Sequence, residues 1–321
     1  GMMQSSRMHL SKLTDGHFRL RGDCNIISLT FMIRGVYLFV EKPFDRSFYI
    51  YMFFIVLLWY PAPSPAADTP FTGASNWGAT GLMEIPTARV IEYGKFRVGF
   101  AQMDPYRYYY GTISPLPRLE INGRITEILG TEAKSGLWEN YGNYKDKAVD
   151  LKFQIIREGK YWPALAFGIM DPHGTRKHTS QYLVISKQIY PFDFTLGIGN
   201  GRFGKRPISD GGHDEFGMEI LTNFNQWCSD AQLFGGVEFS PSKYFSFIVE
   251  YNPIRYEKQT GDPAQAKYFT DAVPSRFNYG LRIKPLDWAE IDVSYQRGNQ
   301  FGVNVYLDFT LGMGDIRIPL P

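Results

Sequence analysis

Cysteine is nearly missing from this 321-residue chain: there are two, Cys24 and Cys228. That excludes a disulfide-stapled scaffold and a multi-cysteine zinc module. The five histidines (His9, His17, His173, His178 and His213) lack the spacing of a metal site, so no metal and no cofactor is expected. An excess of one charge is missing as well. Basic residues number 34 against 32 acidic ones, a net charge of +2, which leaves no concentrated basic footprint for nucleic acid. No apolar run reaches the roughly 20 residues of a membrane-spanning helix, and no segment beyond Asp68 has the spacing of a long helix. The glycine pair in GRFG, 201–204, lacks the strand–helix setting of a phosphate loop. Aromatics, by contrast, are plentiful, with 25 Phe, 21 Tyr and 6 Trp.

The first 67 residues read as a leader. Phe48–Tyr60 is an uncharged apolar run, preceded by Lys42 and Arg46 and followed by PAPSPAAD, whose small residues suit cleavage near Ala66/Ala67. This is the pattern of a secretory signal peptide. No cysteine follows the run, so no lipid anchor is expected. The stretch before it is too long for a signal-peptide n-region, and the native start is expected near Met32. The seven basic and four acidic residues before Asp68 account for the small positive excess.

From residue 94 onward the dominant period is two. Val149, Leu151, Phe153 and Ile155 alternate with Asp150, Lys152 and Gln154. Ala289, Ile291, Val293 and Tyr295 alternate with Glu290, Asp292 and Ser294. Such alternation predicts half-buried strands, twelve of them between 94 and 311. Proline-bearing turns (SPLP at 114–117, YPFD at 190–193, SPSK at 240–243, KPLD at 284–287) and REGK at 157–160 join strands at one end. Long polar connections at 129–146, 200–229 and 252–275 join them at the other. A β-sandwich has no reason to segregate loop lengths in this way. The expected fold is all-β: an antiparallel up-and-down transmembrane β-barrel of about 12 strands, with short periplasmic turns and longer extracellular loops. It occupies 94–311, preceded by a periplasmic lead-in or plug at 68–93 and followed by a tail at 312–321. Outward aromatics near strand ends (Phe96, Tyr251, Phe277, Tyr279, Tyr295, Phe309) suit interfacial girdles.

The inward faces place Lys95, Arg97, Glu120, Arg124, Asp150, Lys152, Arg282, Lys284, Glu290 and Asp292 in the lumen. There they can pair across strands or meet a polysaccharide. One enzymatic alternative rests on His178 and Ser180, two apart on one strand face, as in barrel hydrolases that cleave lipid; another alternative is a general small-solute porin. The chain is expected not to be an enzyme. The last strand (Gln300, Gly302, Val305, Leu307, Phe309) has the character of a segment read by the barrel-assembly machinery.

Two stretches carry a resemblance. NWGATGLMEIPTARVIEYGKFRVGF (76–100) holds Gly81, Leu82, Pro86, Thr87, Ala88 and Arg89. LFGGVEFSPSKYFSFIVEYNP (233–253) holds Gly235, Gly236, Glu238, Glu250 and Tyr251. Both resemble the signatures of the YjbH/GfcD-like outer-membrane proteins of exopolysaccharide and capsule clusters, whose longer members continue into a second half of similar size. The resemblance implies a role in secretion or assembly of an extracellular polysaccharide. It also implies an outer-membrane location after signal-peptide cleavage, and outer-membrane lipid, polysaccharide and periplasmic or export components as partners. It supplies no catalytic residues.

Overall fold

The computed structural model describes residues 71–133, 139, 142–173, 175–208 and 218–311. The leader at 1–67 with its signal peptide and cleavage site, residues 68–70 of the lead-in or plug, and the tail at 312–321 lie outside the described residues.

Twelve strands form one closed antiparallel barrel: β1 (Lys95–Met103), β2 (Tyr106–Leu116), β3 (Leu119–Glu132), β4 (Asn143–Ile156), β5 (Ala164–Met170), β6 (Ser180–Ile189), β7 (Phe192–Gly199), β8 (Gln232–Ser242), β9 (Phe245–Tyr251), β10 (Phe277–Leu286), β11 (Ala289–Gln296) and β12 (Gln300–Thr310). Each strand pairs with its sequence neighbours. The sheet closes where β1 meets β12, from Lys95 opposite Thr310 to Met103 opposite Gly302. Closure removes the open edges that would leave backbone groups without partners.

The short-turn end differs from the sequence expectation in one detail. Pro117 and Pro191 sit at the turn tips, but three other prolines do not. Pro115, Pro241 and Pro285 each fall inside a register irregularity, between Ile113 and Leu116, Phe239 and Ser242, and Ile283 and Leu286. Proline has no N–H to give to a ladder, so a bulge near the rim accommodates it. The turns proper are the two-residue steps 117–118, 243–244 and 287–288. Arg118, which follows Pro117, takes a positive φ of 71°, as the residue after the proline does in a type II turn. The fourth such step is 190–191. The connection after β4 is longer than the expected REGK turn, and β5 starts at Ala164.

The two faces of the wall divide by chemistry. Outside, Leu196, Val149, Phe247, Val249 and Val293 are exposed around the middle. Tyr190, Tyr244, Trp162 and Trp288 ring the short-turn end; Tyr279, Phe277 and Phe301 ring the other. Phe301 is 77% exposed, a cost in water of about 25 cal/mol per Å² of apolar surface left uncovered. Inside, the same strands present Arg97, Glu120, Arg124, Asp150, Lys152, Glu238, Glu250, Arg282 and Asp292, all buried. Among the described residues no helix is long and apolar enough to cross a membrane; the helices, such as Phe224–Asp230, are short and lie in the long-loop connections.

Candidate functional site: a plugged lumen

Something other than water covers those inward charges. Residues 71–93 fill the barrel, with Phe71, Ala74, Trp77, Leu82, Ile85 and Ala88 all at or below 2% exposure. The segment forms two isolated bridges, Ala74 with Thr80 and Gly81 with Pro86, and bonds some of its own backbone, as from Asn76 N–H to the Met83 carbonyl. Its other backbone N–H and C=O groups need partners from elsewhere, since buried polar groups left unpaired are costly. The wall's charged side chains are those partners.

The segment enters near the short-turn rim. There Arg97, paired to Asp308 at 2.6 Å, donates to the carbonyl of Thr72 at 2.8 Å. Arg282 lies between Asp292 (3.0 Å) and Glu238 (3.1 Å) and donates to the carbonyls of Ala74 and Leu82, each at 3.0 Å. Glu120 accepts from the N–H groups of Thr80 (2.8 Å) and Ile91 (2.9 Å). Its partner Lys152, 3.0 Å away, donates to the Thr80 carbonyl at 2.7 Å. Asn122 donates to the Trp77 carbonyl at 2.9 Å, beside the Arg124–Asp150 pair. Glu250 accepts from three successive N–H groups, those of Met83 (2.8 Å), Glu84 (2.9 Å) and Ile85 (3.3 Å).

The two stretches singled out in the sequence are thus two sides of one contact. Gly81, Leu82, Pro86, Thr87, Ala88 and Arg89 belong to the plug. Gly236, Glu238 and Glu250 belong to the wall that receives it. A Cβ on Gly236 would sit 2.4 Å from Leu82 Cδ1, so glycine there makes room for the leucine. Gly235 and Tyr251 face each other in the ladder one position away. Tyr251 lies on the outer face, packed on Phe277 with ring centroids 5.5 Å apart.

Two ion-pair fastenings hold the plug at its ends. Near the short turns, Arg89 reaches Asp193 (2.6 Å) and Glu158 (2.6 Å). Although burial works against its charge, these carboxylates push the guanidinium pKa up. Near the long loops, Glu84 pairs with Arg297 at 2.9 Å and accepts from Asn252 and the Tyr256 hydroxyl. Burial opposes the Arg297 charge too, yet Glu84 and the Tyr256, Tyr106 and Tyr108 rings raise its pKa. Arg297 stacks over Tyr256 at 4.2 Å, and Arg202 over Trp77 at 4.5 Å.

Of the lumen-facing residues expected to meet polysaccharide, Arg97, Glu120, Lys152 and Arg282 bond to the plug backbone, while Arg124, Asp150 and Asp292 are held in ion pairs of the wall. Lys95 pairs with Glu92 at 2.8 Å and Lys284 with Glu290 at 2.9 Å; these two stay part-exposed. The cavity left beside Trp77, Glu120 and Asp150 measures about 10 Å³, room for one water at most. Sequence reasoning did not single out Trp77, Glu84, Arg202 or Arg297. Trp77 and Glu84 stood within the quoted 76–100 stretch. Arg202 stood within the GRFG segment, whose role is a buried cation and not a phosphate loop. Arg297 carried no signal of its own.

His178 and Ser180 do not form a dyad. The Ser180 hydroxyl donates to the Asn200 carbonyl at 2.8 Å. Arg202, always a donor, lies 3.0 Å from His178 Nδ1, which assigns the ring's lone pair to that contact and its proton to Nε2. Burial, then Arg202, Arg124 and Lys177, hold the imidazole pKa well below its ordinary value. A neutral histidine with its lone pair engaged has nothing with which to take a proton from the serine.

The YjbH family model, described as exopolysaccharide biosynthesis protein YbjH, matches residues 73–319. The chain belongs to the YjbH exopolysaccharide biosynthesis family. A curated relative, the uncharacterized lipoprotein YjbH of Escherichia coli (strain K12), is 32% identical over 268 residues, covering 78% of this chain and 36% of its own. The chain thus spans about a third of that relative. Among solved structures, the NanC porin matches with 10% identity and a TM-score of 0.35, over 67% of this chain and 98% of its own. The N-terminal β-barrel domain of Pseudomonas aeruginosa OprF matches with 7% identity and a TM-score of 0.20, over 68% and 98%. In this YjbH-family barrel, the residues quoted for the resemblance are largely those that fasten the plug to the wall.

Proposed function

We propose that this barrel sits in the outer membrane and takes part in secretion or assembly of an extracellular polysaccharide, with no catalysis of its own and with its lumen held shut by residues 71–93. Family membership supports the polysaccharide system. The apolar belt and the aromatic rings at both ends suit insertion in lipid. The observation that carries the reading is the plug contact: the Gly81–Arg89 stretch has Glu250, Gly236 and Arg282 as its receptors. A barrel serving only small solutes has no need of a fastened plug that leaves about 10 Å³. The engaged lone pair of His178 speaks against lipid hydrolysis.

The test is deletion of the gene from a producing strain that has no second copy. Surface polysaccharide should fall and return on complementation; unchanged amounts sink the proposal. In planar bilayers the purified barrel should conduct little. Lipid-cleaving activity lost in Ser180→Ala would favour the hydrolase instead.

A further inference from the structure

A second concavity lies outside the plugged lumen, at the long-loop rim. Its volume is about 390 Å³, within the usual range of small-molecule sites. Its walls come from separate connections: Asp104 between β1 and β2, Gly130 near the end of β3, Tyr268–Pro274 before β10, and Asn299 between β11 and β12. Such convergence is what a built site requires, and its aromatic wall is fixed. The Tyr268 hydroxyl donates to the Leu129 carbonyl at 2.7 Å, and Lys267 donates to the Gly130 carbonyl. Gly130 has φ of +68°, and a Cβ there would lie 2.5 Å from the Tyr268 oxygen; the tyrosine can seat only against a glycine. Its ring is nonetheless 41% exposed.

We infer that this groove binds a neutral, hydroxyl-rich saccharide. The Lys267 ammonium lies over the Tyr268 ring, 5.1 Å from its centroid; so immobilised, the ring offers its remaining exposed surface to the C–H face of a sugar with little further entropy loss. Around it stand acceptors suited to sugar hydroxyls. The Asp104 carboxylate and the Asn299 amide have no partner among the described residues, and Asp271 shares one oxygen with the Thr270 hydroxyl at 3.2 Å. The carboxylates of Asp104 and Asp271 outnumber the one ammonium nearby, that of Lys267, which is held on the Gly130 carbonyl; the net negative charge disfavours an acidic sugar. The inference rests on the proposed polysaccharide role and places the contact with the polymer at the rim, where the lumen is closed.

The test uses the full chain in detergent and short oligosaccharides cut from the producing strain's own exopolysaccharide, split by anion exchange into neutral and acidic fractions. Titration calorimetry should detect binding of the neutral fraction, about tenfold weaker in Tyr268→Ala. Asp271→Ala should weaken it too, and being a change at an exposed loop residue it guards against misfolding of the tyrosine variant. Tyr268→Phe, which keeps the ring, should bind more tightly than Tyr268→Ala. Absence of binding by wild type, affinity unchanged in both alanine variants, or preference for the acidic fraction overturns the groove. None of these touches the export reading, which is decided by the deletion strain.

Discussion

The plug is fastened twice, and the two fastenings differ in kind. At the short-turn end Arg89 grips two carboxylates, one of which, Glu158, keeps 18% of its side chain in solvent and also meets Lys187 at 3.0 Å. At the long-loop end Glu84 and Arg297 are at most 1% exposed, enclosed by Tyr106, Tyr256 and Phe269. At the first site water reaches Glu158 but not Asp193, which is 2% exposed; at the second it reaches neither partner. A rim ion pair in solvent contributes about 0–1 kcal/mol, whereas breaking a buried one costs roughly 3–5 kcal/mol because a charge is left stranded. The Glu84 end is therefore the stiff one and the Arg89 end the one that yields first.

The sharpest way to break this comparison is Arg297→Met. It should lower stability by about 3–5 kcal/mol in urea titrations of the barrel folded in vesicles, and should raise single-channel conductance. Glu84→Gln should cost less, because Arg297 keeps its three aromatic neighbours and the Asp104 carbonyl at 3.0 Å. Arg89→Ala strands Asp193, which is 2% exposed, while Glu158 keeps Lys187; it should cost about 3 kcal/mol, the low end of the buried-pair range and less than Arg297→Met. A larger loss than in Arg297→Met would reverse the comparison. Next comes Gly236→Ala, which presses on Leu82 and should cost about 1–3 kcal/mol. Adding Leu82→Ala should recover part of that loss, a coupling measured by a double-mutant cycle.

The smallest effect is one of pH. Burial would raise the Glu158 pKa, but Arg89 and Lys187 bring it below its ordinary value of 4.5. A carboxyl with a depressed folded-state pKa stabilises fully above its unfolded value and loses that contribution as acid protonates it. Below about pH 4.5 the Arg89 end should loosen by less than about 1 kcal/mol. Proteolytic nicking between 71 and 93 in the reconstituted barrel should rise there, and Glu158→Gln should abolish the dependence.

Much of the wall was legible in the sequence, because alternation along a strand maps directly onto inside and outside once one face is apolar. Asp150 and Lys152 against Val149 and Leu151 left little choice. What was not legible was the pairing of distant segments. Nothing local to Glu250 says that it accepts from three N–H groups some 165 residues earlier in the chain, and nothing in the turn RGN says that Arg297 will be buried against Glu84. Pro115, Pro241 and Pro285 misled for a related reason: they carry turn signals, but a bulge beside the turn accommodates a residue without an N–H equally well. The lumen charges were legible as inward-facing and not as partners of backbone groups, which carry no side-chain signature.

The closed seam has a consequence for how the molecule is made. Residues 71–93 lead into β1, yet the side chains that enclose them come from β7, β8 and β9 as well as from β12. The seam joins the first strand to the last. A barrel that zipped shut with this segment outside would leave Glu120, Glu250 and Arg282 facing a water-filled lumen, and the segment would then have to thread in through a rim and displace that water. Placing it while the wall is still open avoids the threading, so the plug is best regarded as an inner layer laid down together with the wall.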